Sequence, residues 1–242
     1  MKNMAPKSNV IPLNTELRPD LNEAERFLKL LDPNAEWFAF QFYWDPKDGS
    51  KPTKRERPKS LLVQNPLKLA APTLAEYNRK RWGVAVTINP TDGVGRKLEN
   101  VLYIRAIKAD FDDNPPPDNW PIEPSIVVST TPGRYHCYWL VKGTKMKQET
   151  AKGIEDYLVR EYDADEKCAE MARAMRLPGF YHMRGEPTMV KILRANGKRY
   201  LPSELKRAFP PVKPEAKTVA RTSDGDGVSR ALKCIPAEGY DT

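Results

Sequence analysis

The stretch Val101-Leu102-Tyr103-Ile104-Arg105-Ala106-Ile107-Lys108-Ala109-Asp110-Phe111-Asp112 reads as one long β-strand, mostly apolar and ending in carboxylates. Asn114-Pro115-Pro116-Pro117 stops it, since proline has no N–H for a sheet ladder. Side chains alternate faces along a strand, so Asp110 and Asp112 point the same way. Two like charges about 4 Å apart repel by roughly 4 kcal/mol at an effective dielectric near 20. A divalent cation between them removes that cost, and hard oxygen ligands suit Mg2+ or Mn2+. Acidic residues also end strands simply because loops are wet, so by itself the pair leaves metal binding and a solvated strand end both open.

Downstream, residues 125–130 and 134–141 form a predicted hairpin around Thr131-Pro132-Gly133. Arg134 and His136 share one face of its second strand, while Tyr135, Cys137 and Trp139 share the other. A cationic pair beside an acidic metal cluster suits a nucleoside triphosphate. The plainer reading of His136 is a structural histidine satisfied on a sheet. Zinc is disfavoured, because no Cys or His stands at ligand spacing from it.

Helices are expected over residues 148–161 and 166–175. Asp165 or Glu170 would supply a third carboxylate to a two-metal site. Arg173 and Arg176, three apart on a helical segment, would be neighbours able to grip phosphates. The bland alternative is a surface helix with charge pairs such as Glu170 with Arg173. A strand at 188–194 and a helix at 203–209 complete the domain.

Upstream, Asp20 or Asn22 would cap a helix carrying Leu21, Ala24, Phe27, Leu28 and Leu31. Residues 37–44 (WFAFQFYW) read as a strand whose Phe38, Phe40 and Phe42 belong to the core. A helix at 74–82, a strand at 83–89 and a glycine-punctuated turn at Asp92-Gly93-Val94-Gly95-Arg96 follow. Residues 1–19 read as a flexible arm and 20–209 as the main domain. Pro/Gly-rich 210–227 is a linker, and 228–242 looks like the start of a truncated helical domain.

The 242 residues, 40% hydrophobic and 30% charged, suit a globular protein with a real core. No apolar run approaches the ~20 residues of a membrane span, and no secretory h-region follows Met1. Three scattered cysteines make no disulfide framework, which points to a reducing cytoplasm. The net charge of +8 favours a polyanionic partner, weakly. The basic run Lys51–Lys59 is a solvated loop or a phosphate-tracking one.

Taken together, these features resemble the archaeo-eukaryotic primase superfamily, and within it the RepB-like primase–polymerases of plasmids, phages and prophages. Ile107-Lys108-Ala109-Asp110-Phe111-Asp112 is similar to that superfamily's acidic strand motif. Arg134-Tyr135-His136 is similar to its sxH motif, and Asp165 followed by Arg176-Leu177-Pro178-Gly179 to its later acidic motif with an RLPG signature. The pattern runs from about residue 24 to 194. Two departures stand out: Arg134 occupies the first sxH position in place of serine, and residue 170 is Glu where Asp is the pattern.

The resemblance implies an α+β fold, with a modified RRM-like antiparallel sheet and helices packed against an N-terminal α/β unit. It implies a DNA primase–polymerase that synthesises and extends primers on single-stranded DNA in mobile-element replication. Asp110, Asp112 and Asp165 would hold two Mg2+ or Mn2+ ions, with Glu170 the alternative third ligand. His136 and Arg134 would contact the triphosphate of an NTP or dNTP. Arg173 and Arg176 are weaker phosphate candidates, and His182 and Arg184 weaker still. A helicase domain in the full-length chain, a phage- or plasmid-encoded gene, a bacterial cytoplasm and no membrane association complete the expectation. The rivals are a two-metal nuclease and an RRM-like nucleic-acid-binding module, whose aromatic strand Gly133–Leu140 loosely echoes. A replication-initiator endonuclease is disfavoured, since His136 and His182 do not stand as a pair in sequence.

Overall fold

The computed structural model describes residues 17–45, 50–58, 62–95 and 97–212. Most of the expected N-terminal arm, most of the linker, the start of a helical domain at 228–242, Arg96 of the turn and Lys59 of the basic run lie outside the described residues.

In chain order the elements are α1 (Leu21–Leu31), β1 (Phe38–Trp44), β2 (Leu62–Asn65), α2 (Leu67–Arg79), β3 (Trp82–Thr87), β4 (Ala106–Phe111), β5 (Ile126–Thr131) and β6 (Arg134–Val141). Then come α3 (Gln148–Tyr162), β7 (Ala174–Arg176), β8 (Tyr181–His182), β9 (Thr188–Met189), β10 (Lys191–Ala195), β11 (Arg199–Tyr200) and α4 (Pro202–Ala208). One antiparallel sheet has the order β2-β1-β3-β7. The other runs β10-β5-β6-β11, with β4 also paired to β6. This is the α+β architecture that the sequence implies.

Alternation along β6 divides the core as period-2 patterning requires. Tyr138 and Leu140 face α1 and the first sheet, in a cluster with Phe27, Phe40, Phe42 and Val86. Cys137, Trp139 and Val141 face α3 and α4, in a second cluster with Trp120, Ile154 and Phe209. The Phe38, Phe40 and Phe42 rings are core, as the strand reading holds.

Asp20 caps α1 by accepting the Glu23 N–H at 3.0 Å. The RLPG turn seats on that helix start. Gly179 has φ +85°, and a Cβ there would lie 2.1 Å from the Asp20 carbonyl oxygen, so only glycine fits.

Several expectations are corrected. The acidic strand is shorter than 101–112: Leu102 is 62% exposed, and regular pairing begins at Ala106, where β6 becomes available. α2 begins well before Leu74 and tolerates Pro72 on its exposed side. The short strand β2 was not anticipated. Most consequential, 166–175 is not a helix. Only a single 3-10 turn, Glu166–Cys168, forms before the chain extends into β7. Arg173 and Arg176 are therefore not helical neighbours.

Candidate active site

β4 pairs only with β6 among the described strands, so its outer edge needs backbone partners. Glu155 of α3 accepts the Lys108 N–H at 3.3 Å and the Lys108 ammonium at 3.0 Å. Further along, the Asp165 N–H donates to the Asp110 carbonyl at 2.8 Å. The chain reaches that point because α3 ends on Asp163 in the left-handed conformation, φ 58°. Asp110 and Asp165, distant in sequence, are thus brought together by one edge bond.

Those carboxylates line a cavity of about 260 Å³. Asp110, Asp112, Arg134 and His136 line it with Asp165 and Cys168; Arg176 enters from β7, His182 from β8, and Arg173 and Arg184 from just outside those strands; Tyr43 of β1 also lines it. Of the residues proposed from sequence for catalysis, nucleotide contact or metal binding, all but Glu170 lie on this cavity; Glu170 is exposed and off it.

Ligand atoms of Asp110, Asp165 and Cys168 lie within 4.8 Å of one another. Asp112 is outside that tight group, 3.6 Å from the Arg134 guanidinium. Burial, then the Asp110 charge, pushes the Asp112 carboxyl above its ordinary pKa. Asp110 Oδ1 is buried without a hydrogen-bond partner, while Oδ2 accepts from the Cys168 thiol at 3.1 Å. Burial, then Asp110, pushes that thiol up, so Cys168 stands as a neutral donor. An orphaned carboxylate oxygen among hard oxygen donors fits a divalent cation.

His136 is 4% exposed, and its Nε2 lies 3.6 Å from Asp110 Oδ1. Its Nδ1 lies 3.0 Å from the Tyr138 hydroxyl. Tyr138 is fully buried, and no other hydroxyl partner is present among the described residues. The hydroxyl hydrogen therefore goes to Nδ1, which leaves the ring proton on Nε2, facing the carboxylates. Burial holds the imidazole pKa below its usual value, so the ring is neutral.

Arg176 is held from behind. Asp45, at the end of β1, accepts from both guanidinium nitrogens, at 2.5 and 2.8 Å. The Arg176 guanidinium also lies 5.5 Å from the Tyr43 ring centre. Gly83 makes the room: a Cβ there would fall 1.7 Å from Arg176 Nη1 and 2.3 Å from Asp45 Oδ2. His182, 9% exposed, has a pKa lowered to about 4 by burial and then by Arg176.

Sequence reading missed Asp45, Tyr43, Thr130 and Cys168 as cavity or supporting residues. The strand-end positions of Tyr43 and Asp45 were the available signal, hidden because the aromatic run reads as core throughout.

Residues 111–213 match the family model of the RepB DNA-primase N-terminal domain. The fold resembles the AEP domain of the cyanophage S-2L primase-polymerase, with 19% identity and a TM-score of 0.62 over 80% of this chain and 100% of that one. It also resembles the primase RepB′, with 19% identity and a TM-score of 0.58 over 78% of this chain and 61% of that one. The catalytic domain of RepB′ in complex with initiator DNA gives 19% identity and a TM-score of 0.55 over 89% of this chain and 98% of that one. No curated protein matches the sequence. The family match over residues 111–213 and the shared fold are consistent with the archaeo-eukaryotic primase-type domain that the motifs imply. Among the described residues no helix is long and apolar enough to cross a membrane.

Proposed function

We propose that the chain is a primase–polymerase, joining nucleotides on a single-stranded DNA template by metal-dependent nucleotidyl transfer. One observation carries this reading. Carboxylates, one with an unpaired oxygen, share the lining of a single cavity with arginines and histidines. That is the charge arrangement a cation–triphosphate complex requires. A pure RNA-recognition-type binder has no use for clustered carboxylates, which repel phosphate.

Asp110, Asp112 and Asp165 are the residues that would hold two Mg2+ or Mn2+ ions. Such ions supply charge neutralisation for the polyphosphate and a more acidic attacking hydroxyl. His136 presents its Nε2–H toward the triphosphate as a neutral donor. Arg134 is poised to exchange its long contact with Asp112 for a phosphate. Arg173 lies within reach of the same phosphates, and Arg176, pre-set by Asp45, offers a fixed guanidinium face. The net charge of +8 favours the template strand as partner. This reading carries with it an NTP or dNTP substrate and a helicase domain in the full-length protein. Its setting is the bacterial cytoplasm during phage or plasmid replication.

The test is primer synthesis and extension on single-stranded DNA with labelled nucleotides and Mg2+ or Mn2+. Wild type should form product. Asp110→Ala/Asp112→Ala should lose it by about a thousandfold or more, the loss expected when several kcal/mol of metal stabilisation disappear. Shortening of the labelled strand without nucleotides would identify a nuclease instead. Tight DNA binding with no synthesis, unaffected by the double substitution, would identify a binding module.

A further inference from the structure

β8 is only two residues long and pairs with β9 alone among the described strands. Side chains from the corner where α2 runs into β3 hold its backbone instead. Asn78, 2% exposed, donates to the Tyr181 carbonyl at 2.8 Å and accepts the Tyr181 N–H at 2.9 Å. Arg81 Nη1 donates to the carbonyls of Met183 and Gly185 at 2.9 and 3.0 Å. Arg81 stands at φ 69°, a conformation that non-glycine residues seldom adopt, and its own carbonyl accepts the Asp45 N–H at 3.0 Å. A backbone held in that region at such a corner is over-determined by its surroundings.

The two side chains this clamped segment sends to the cavity are unpaired. His182 Nδ1 is buried with no hydrogen-bond partner. Arg184 is exposed and makes no ion pair among the described residues. By contrast, Arg134 stands against Asp112 and Arg176 against Asp45. An orphaned buried nitrogen beside an unneutralised guanidinium suits a polyanionic ligand, because each gains a partner only when one arrives.

We propose that Arg81 is a positioning residue for nucleotide binding: by holding the 183–185 turn through two carbonyls, it sets Arg184 against the polyphosphate. The proposal rests on the nucleotidyl-transfer reading above. Arg81 is not among the cavity-lining residues and acts through Arg184. A control of the same kind exists elsewhere in the molecule. Arg199 donates to the Leu30 and Leu31 carbonyls at 2.9 and 3.1 Å and does not line the cavity.

The experiment is equilibrium binding of a fluorescent, non-hydrolysable nucleoside triphosphate with Mn2+, alongside thermal unfolding. Arg81→Ala and Arg184→Ala should each weaken binding about tenfold, equivalent to roughly 1.4 kcal/mol. The double variant should bind no more weakly than Arg184→Ala alone, because residues acting through one another do not add. Arg81→Lys should recover part of the loss, and Arg199→Ala should leave Kd unchanged even where it lowers Tm as far. Unchanged binding in Arg81→Ala, fully additive losses, or an equal loss in Arg199→Ala overturns the positioning role. Wild type that binds no nucleotide overturns the nucleotidyl-transfer reading, and this inference falls with it.

Discussion

The two walls of the cavity hold their charges in opposite ways. On the β4 side, carboxylates gather with one long ion pair, Arg134 to Asp112 at 3.6 Å, to neutralise them. Asp110 Oδ1 has no hydrogen-bond partner, and Asp112 is held above its ordinary pKa by burial and by Asp110. On the β7 side, Arg176 already has its counter-charge, since Asp45 grips it in bidentate fashion from outside the cavity. One wall leaves neutralisation to a ligand. The other uses it to fix geometry, as planar Arg–carboxylate pairs do well. A third charged pair, Lys108 with Glu155, is sealed in the interior at 0% and 1% exposure and covers the strand edge below the acidic wall. The same chemistry thus stands open to the ligand of the proposed reading, serves as a brace or protects an edge, according to what surrounds it.

The brace can be broken without touching any cavity-lining side chain. Gly83→Ala places a methyl where Arg176 Nη1 and Asp45 Oδ2 now lie. The pair must separate, and removing a partner from a buried charge typically costs about 3 kcal/mol or more. Urea unfolding should show a loss of that order, and nucleotide KM should rise because Arg176 is no longer preset. Asp45→Asn should give a smaller version of both effects. A Gly83→Ala protein with wild-type stability and KM would mean that the Asp45–Arg176 geometry is dispensable.

The acidic wall should respond in the opposite direction. With its folded-state pKa raised, Asp112 holds its proton more tightly in the folded chain than in the unfolded one. Its contribution to stability is therefore greatest at low pH and is lost as pH rises through the raised value. Asp112→Asn should be more stable than wild type at pH 7 without divalent ions. The difference should vanish below about pH 4, near the ordinary carboxylate value. The side chain is 42% exposed, so after solvent screening the gain is at most about 1 kcal/mol. Denaturant midpoints at the two pH values decide it, and a variant less stable than wild type at pH 7 would show that the Arg134 contact outweighs the repulsion.

The contrast between walls also explains what was legible in sequence. Asp110, Arg134 and His136 sit on two neighbouring antiparallel strands, with Asp112 just past the end of one, where period-2 alternation and a Thr-Pro-Gly turn announce both face and register. Asp165 was legible as a carboxylate in the right region, and its edge bond to β4 explains why it, rather than Glu170, reaches the cavity. The other wall was not legible. Residues 166–175 carry helix-compatible charges and alanines, yet β3 offers an open edge, and pairing of Val86 with Met175 and Ala85 with Arg176 draws the chain into a strand. Tertiary pairing overrides local preference there. Asp45 and Arg176 stand 131 residues apart, a separation that no local pattern can report.

The smallest effect tests how finely the acidic wall is tuned. Tyr138 packs edge-on against Phe27, with ring centres 5.5 Å apart, so Tyr138→Phe keeps the packing and removes only the hydroxyl. The lost hydrogen bond to His136 Nδ1 should cost about 1 kcal/mol of stability. Without that donor, the imidazole proton is free to occupy Nδ1, leaving Nε2 as a lone pair beside Asp110 and the incoming phosphates. A donor then becomes a repulsive acceptor in part of the population. Nucleotide KM should rise a few-fold, roughly the effect of one neutral hydrogen bond, with template binding unchanged. A full loss of stability with no change in KM would show that His136 holds its tautomer by another route, through Asp110 rather than Tyr138.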